Sequence, residues 1–275
     1  MDPLNISLYD NVGHVRLVDH MGTDECVADA ARVSYQTGTR PLRANETLVR
    51  YLMRHEHWTP FEMTSVKLRV KCPLFVARQV MRHRLFSYNE VSLRYSEACE
   101  DIWAPTRARF NLQSDTNRQG SGEACVDPAH AERFVTEWAR VLVQARTLYD
   151  DMLHAGVARE VARGILPVAQ FTEFYMCGNL RTWLHFCRLR CDSHAQSEIS
   201  ELANGVLTIL RALYPVTVNA WIDYERDSVR FSRPDGARLH ARLHGNGVPN
   251  GGENSSAREL DEFEQKLARL TGAQV

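Results

Sequence analysis

With 275 residues, 44% of them hydrophobic, the chain is long enough to bury one large core or two small ones. A formal net charge of −1 excludes a general polyanion binder, so a site for an anionic ligand must gather its arginines locally. Cys26, Cys72, Cys99, Cys125, Cys177, Cys187 and Cys191 are scattered, odd in number and free of any C-x-x-C pair. That pattern argues against a disulfide framework or a zinc ribbon and for a reducing, cytoplasmic setting. Met1 is followed by Asp-Pro-Leu-Asn, so no signal peptide is expected, and no apolar run approaches the roughly 20 residues that span a bilayer.

In chain order, the Val- and Leu-rich stretch 13–19 reads as a strand, and Thr23 and Asp24 offer caps for a helix over 24–35. A second helix is predicted over 45–54. Val66 to Lys71 alternates apolar and basic residues, which predicts a half-buried strand. Pro73 suits the first turn of a helix over 73–84 that ends in Arg82-His83-Arg84. The polar, breaker-rich stretch 104–130 reads as a long loop. A long helix over 130–155 follows, with Phe134, Trp138, Val141, Leu142 and Leu148 on its apolar side. Helices are predicted over 157–165, 171–190 and 193–213, the last stopped by Pro215. Arg233-Pro234-Asp235-Gly236 reads as a turn, and 245–256 as a linker by composition. A last short helix places Leu260, Phe263, Leu267 and Leu270 on one face. The class is α+β and helix-rich, with one sheet and a detachable C-terminal tail.

Chemistry concentrates in two basic clusters. Arg82-His83-Arg84 through Ser96 holds three arginines, a histidine, Glu90 and several small polar residues. Arginine forks match phosphate oxygens in pairs, and Ser, Asn and backbone N–H groups complete such a cradle. A helix end whose cations complement its macrodipole has the same look. The second cluster is Asn179, Arg181, His185, Arg188, Arg190, Asp192, Ser193, His194 and Gln196. Two arginine-rich helix ends in a near-neutral chain favour a shared anion over either end alone. His55-Glu56-His57 is compatible with a metal on a strand, but without H-E-x-x-H no metal site is assigned.

Arg82-His83-Arg84, seven residues, then Ser92 resembles the R-H-R-x7-S signature of the flavin-dependent thymidylate synthases, the ThyX family. His57-x-Thr59-Pro60-Phe61-Glu62, Ala31-Arg32-Val33-Ser34, Phe75 to Gln79, Ser87 to Glu90, Ala162 to Pro167, Asn179-Leu180-Arg181 and Leu189 to Gln196 resemble further boxes of that family. The resemblance covers roughly residues 13–220. It implies a ThyX-type α+β fold with a mainly antiparallel sheet, a catalytic domain over 1–225 and a C-terminal extension over 226–275 past the usual family end.

The implied reaction methylates C5 of dUMP, with methylenetetrahydrofolate as carbon donor and NADPH reducing FAD. By resemblance, Arg190 is the catalytic cation that draws charge toward the uracil oxygens. Gln79, Arg82, Glu90, Ser92, Leu93, Arg94, Arg163 and Arg190 map to nucleotide-binding positions. Ser34, His57, Thr59, Arg82, His83, Arg84, Asn89, Glu90, Asn179, Arg181 and His185 map to the flavin site. The family also implies a homotetramer with sites shared between subunits, and neither nucleic acid nor membrane as a partner.

Leu93 stands where several relatives carry a small residue, His185 where some have Asn, and Ser197 where a Trp is frequent. Leu93 and the extension keep a second substrate open, UMP in place of dUMP. Arginines interleaved with Tyr88 and Tyr95 also suit a single-stranded RNA module, although the net charge argues against it.

Overall fold

A computed structural model describes residues 3–34, 44–115, 120–245 and 256–271. The chain divides into two compact units, Met1–Trp221 and Ile222–Val275.

The first unit is built on an antiparallel sheet of five strands. These are β1 (Asn5–Leu8), β2 (Gly13–Met21), β3 (Ser65–Pro73), β4 (Ser87–Glu90) and, later in the chain, β7 (Phe171–Gly178), in the spatial order β1-β2-β3-β7-β4. Alternation sets the two faces. Val66, Leu68, Val70 and Cys72 of β3 are fully buried and lie opposite Gly178, Met176, Phe174 and Thr172 of β7. The intervening Lys67, Arg69 and Lys71 face outward, and Arg69 Nε reaches Glu173 at 2.7 Å.

Helices cover the apolar face. These are α1 (Asp24–Arg32), α2 (Asn45–Arg54), α3 (Leu74–Val80), α6 (Leu180–Arg190), α7 (Ser197–Leu213) and α8 (Pro215–Trp221), with α4 (Pro128–His154) and the short α5 (Arg159–Ala162) between α3 and α6 in sequence. Helix α6 buries Leu180, Trp183, Leu184, Phe186 and Cys187, and the Trp183 indole donates to the Val66 carbonyl at 3.1 Å. Helix α7 packs so closely that a Cβ on Gly205 would stand 2.9 Å from Val15 Cγ1. Asp24 caps α8 from across the unit, accepting from the backbone N–H of Val216 at 2.8 Å and of Thr217 at 2.9 Å.

Several predicted elements are corrected. Residues 171–178 form the strand β7 rather than the start of a helix, and the helix begins only at Leu180. The stretch 104–130 is not a plain loop: it contains the two-stranded ribbon of β5 (Asn111–Gln113) and β6 (Ser121–Cys125). Pro215 opens α8 as well as ending α7. Helix α3 stops at Val80, so Arg82-His83-Arg84 lies beyond its last turn. Helix α4 spans the predicted segment, but within this chain Trp138, Val141 and Leu148 remain 37%, 52% and 48% exposed.

The second unit holds α9 (Arg233–Leu243) and α10 (Ala257–Thr271). Arg233-Pro234-Asp235-Gly236 is the first turn of α9 rather than an isolated turn, because Ser232 and Asp235 cap it reciprocally. Buried Phe263 packs edge-on against Phe231, while Leu270 of the predicted apolar face is exposed. The linker reading falls almost wholly outside the described residues. No helix among the described residues is long and apolar enough to cross a membrane.

Candidate functional site

Two predicted clusters meet where the chain leaves α3 and where α6 ends. A cleft of about 620 Å³ is lined by Arg82, His83, Arg84, Leu85 and Phe86 on one side and by Thr182, His185, Leu189 and Arg190 of α6 on the other. Arg181, His185 and Arg188 share the outer face of α6, opposite its buried tryptophan and phenylalanine. Phe86 pins the 82–86 segment to the core. Its ring lies 4.5 Å from Trp183 and fills the space where a Cβ on Gly178 would fall, 2.5 Å from Phe86 Cδ1. Tyr88 holds the same turn, donating its hydroxyl to the carbonyls of Val80 at 3.0 Å and His83 at 2.9 Å.

The electrostatic centre of this cleft is His83, only 9% exposed. Arg190 donates its Nε–H to His83 Nε2 at 3.0 Å. Burial first, then the Arg190 and His185 charges, lower the His83 pKa to about 4. The ring is therefore neutral, with Nε2 as acceptor and its proton on Nδ1. Burial and the neighbouring Arg188 and Arg181 lower His185 in the same direction. Among the described residues, Arg82 and Arg84 pair with no carboxylate, and the Nη groups of Arg190 have no protein partner.

A second cavity, of about 320 Å³, is lined by Glu90, Leu93, Arg163, Phe171 and Thr172 among others. Thr172 donates to Glu90 Oε1 at 2.6 Å. Leu93 packs against the small cluster of Ala98, Tyr149 and Ala162, so its side chain ties the turn after β4 to α4 and α5. Ser92 Oγ accepts from the Arg94 backbone N–H at 3.3 Å, and Arg94 reaches Glu160 of α5 at 3.1 Å.

The remaining predicted residues stand apart from both hollows. Gln79 is tied to Gln196 at 2.6 Å. Arg181 pairs with Glu62 and lies 5.8 Å from the Trp58 ring, which brings the His57–Glu62 box to the start of α6. His57 and Thr59 are exposed there. Asn179 is the N-cap of α6, its Oδ1 accepting from Thr182 N at 3.0 Å and Thr182 Oγ1 at 2.9 Å. Asn89 is exposed on β4 opposite Tyr175, and Ser34 is exposed just after α1. One chain thus joins Arg82, His83, Arg84, His185 and Arg190, joins Glu90, Leu93 and Arg163 separately, and leaves Ser34, His57, Thr59, Gln79, Asn89, Ser92, Arg94, Asn179 and Arg181 outside both linings.

Sequence reasoning missed Leu85, Leu189 and Thr172 as lining residues. Leu85 carried a signal: an apolar side chain inside a polar run, 77% exposed in the fold. No group of three or more His, Cys, Asp or Glu able to hold a metal occurs among the described residues.

Comparisons with known proteins agree on one family. The model of the Thy1 family, thymidylate synthase complementing protein, matches residues 16–216. A flavin-dependent thymidylate synthase of Wolbachia pipientis wMel is 39% identical over 91% of this chain and 88% of its own length. Another, of Dictyostelium discoideum, is 38% identical over 96% of this chain and 87% of its own. At that coverage the match runs past residue 225. A crystal structure of the UMP/dUMP methylase PolB from Streptomyces cacaoi, bound with 5-Br dUMP, superposes with a TM-score of 0.70 at 33% identity, covering 80% of this chain and 99% of that one. Its 5-Br UMP complex gives a TM-score of 0.69 at 33% identity over 78% of this chain and 96% of that one. The chain belongs to the flavin-dependent thymidylate synthase family of enzymes, and its α+β fold with an antiparallel sheet is that of these methylases.

Proposed function

We propose that this enzyme methylates C5 of the uracil ring of dUMP, using FAD, with NADPH as reductant and methylenetetrahydrofolate as carbon donor. The observation that carries the reading is Arg190, a residue lining the cleft that is held at Nε by a neutral histidine while its Nη groups have no partner among the described residues. C5 of uracil is a weak nucleophile. A fixed cation at a ring oxygen stabilises negative charge there and moves electron density onto C5. A guanidinium pinned at one nitrogen presents its other two as a pre-oriented fork, so little reorganisation accompanies the reaction.

The residues of the larger cleft fit a flavin dinucleotide. Arg82 and Arg84, without carboxylate partners among the described residues, supply cations for diphosphate oxygens, and Leu85 and Leu189 supply apolar surface for a flat ring. When bound, the flavin supplies hydride and one-carbon transfer. Asn179, Arg181 and His185 extend the same wall along α6, with His57 and Thr59 beyond the Arg181–Glu62 pair. Arg163, beside Glu90 in the second cavity, and Arg94, paired with the lining residue Glu160, suit the nucleotide phosphate.

A site divided between two hollows, with predicted residues outside both, supports assembly from several subunits. The exposed Trp138, Val141 and Leu148 of α4 give a second copy an apolar face to cover, in keeping with a homotetramer. The likeness to a UMP/dUMP methylase favours UMP as a second substrate worth testing. The direct test is methylation of dUMP and UMP side by side by the purified protein, with NADPH and methylenetetrahydrofolate. dTMP formation supports the reading. A clear preference for UMP would move the assignment to the ribonucleotide.

A further inference from the structure

Three side chains between α3 and α7 form a hydrogen-bonded relay that ends on a predicted nucleotide-binding residue. Glu198 is buried, and its Oε1 takes both Nε and Nη2 of Arg109 at 2.7 Å. Its Oε2 accepts from Gln196 Nε2 at 2.8 Å. Gln196 Oε1 in turn accepts from Gln79 Nε2 at 2.6 Å.

The polarity of this relay follows from chemistry. A carboxylate paired with arginine only accepts, so Gln196 must turn its amide N–H toward Glu198. The Gln196 carbonyl then faces Gln79, which must donate. Flipping either amide would set oxygen against oxygen. The free end of the relay is therefore the Gln79 carbonyl, which has no partner among the described residues.

We infer that Glu198, acting through Gln196, fixes Gln79 as a hydrogen-bond acceptor toward a donor on the nucleotide, either the uracil N3–H or a sugar hydroxyl. This rests on the proposed dUMP reading and on the resemblance that maps Gln79 to a nucleotide-binding position, since within this chain Gln79 lies outside both hollows. Glu198 and Gln196 are positioning residues, since neither need touch the ligand. A locked acceptor also rejects a base that presents a lone pair at the same place, as cytosine does at N3, because two acceptors would then face each other.

The experiment is calorimetric titration of dUMP into the intact enzyme, with steady-state kinetics on the same preparations. Gln196→Leu breaks the relay and leaves the Arg109–Glu198 pair in place. It is expected to weaken dUMP binding about tenfold, the worth of one hydrogen bond. Turnover at saturating dUMP should stay within about twofold, and the melting temperature should hold. Gln79→Ala should cost the same, and the double variant no more than either alone. N3-methyl-dUMP and 2′,3′-dideoxy-UMP separate the two donors: the analogue lacking the true donor binds wild type weakly and loses nothing further in Gln79→Ala. Multiplied losses in the double variant, unchanged binding in Gln196→Leu, or penalties for both analogues that persist in Gln79→Ala would overturn the inference. A wild-type protein that binds no dUMP at all would instead sink the reading beneath it.

Discussion

Arg190 donates to the one histidine nitrogen that burial keeps unprotonated, His83 Nε2, at 3.0 Å. A protonated His83 would lose this acceptor and set two cations against each other. The arginine and the histidine are thus one device, in which each fixes the other's orientation.

The first expectation concerns pH. The His83 pKa is lowered from 6.5 to about 4, first by burial and then by Arg190 and His185. The unfolded chain takes up a proton near 6.5 that the folded chain refuses until about 4. This group's contribution to stability is therefore complete above pH 6.5 and is lost as the pH falls toward 4. The His83 ring resonances should not titrate between about pH 8 and 5 in an NMR series. In Arg190→Ala the midpoint should rise, but short of the ordinary value, because burial remains the larger cause. An ordinary midpoint in the wild type would contradict the assignment.

Arg190→Ala should lower kcat by at least about 100-fold, the scale of removing one pre-oriented charge donor, while flavin absorbance of the purified protein stays close to wild type. Arg82→Ala should weaken both flavin and nucleotide, since the proposed site assigns Arg82 to both ligands. Near-normal turnover in Arg190→Ala would move the activating role elsewhere.

Asn179 separates a structural role from a ligand role. Its Oδ1 is spent on the α6 cap, so only its amide N–H groups remain for a flavin. Asn179→Ala should cost about 1 kcal/mol of stability, the usual worth of such a cap. Asn179→Asp keeps the cap and removes the donor. It should hold the melting temperature and weaken FAD retention, read from flavin released on dilution. Full FAD retention in Asn179→Asp would confine the residue to capping.

Leu93 is anchored in the Ala98–Tyr149–Ala162 cluster, so its first duty is to hold the turn that carries Ser92 and Arg94. Leu93→Ala should cost about 1–2 kcal/mol, less than a fully buried leucine because the site is partly open. That corresponds to roughly 2–4 °C in a chain this size by calorimetry. An unchanged melting temperature would show that the cluster does not depend on it.

The outcome for sequence reading follows from which interactions are local. The α2 helix, the Val66–Lys71 strand and the long α4 helix were legible because each carries its own periodicity; Asp127 also caps α4, whereas the cap expected of Asn45 for α2 is absent, Ala44 standing at the N-cap with no side-chain bond. Residues 171–178 were misread because Phe171, Phe174 and Tyr175 have the i, i+3, i+4 spacing of a helical face, and pairing with β3, about a hundred residues earlier, decides for a strand. The short polar strand β4 has no apolar pattern of its own and exists through its ladder to β7. In the candidate site, the family boxes proposed the residues, of which the fold brings only some into the two hollows, and the fold supplied what no spacing encodes. That includes the His83–Arg190 bond, the Glu90–Thr172 bond and the separation of Arg163 from Arg190 into two hollows.

The central claim is most directly tested by incubating the purified full-length protein with dUMP, NADPH and isotopically labelled methylenetetrahydrofolate, and following the label by mass spectrometry alongside the visible flavin spectrum. The account predicts a yellow protein that forms dTMP carrying the labelled carbon at C5, and an Arg190→Ala variant that is equally yellow and forms it at least about 100-fold more slowly. A colourless wild-type protein, or label that never reaches C5 of a uracil nucleotide, would contradict it.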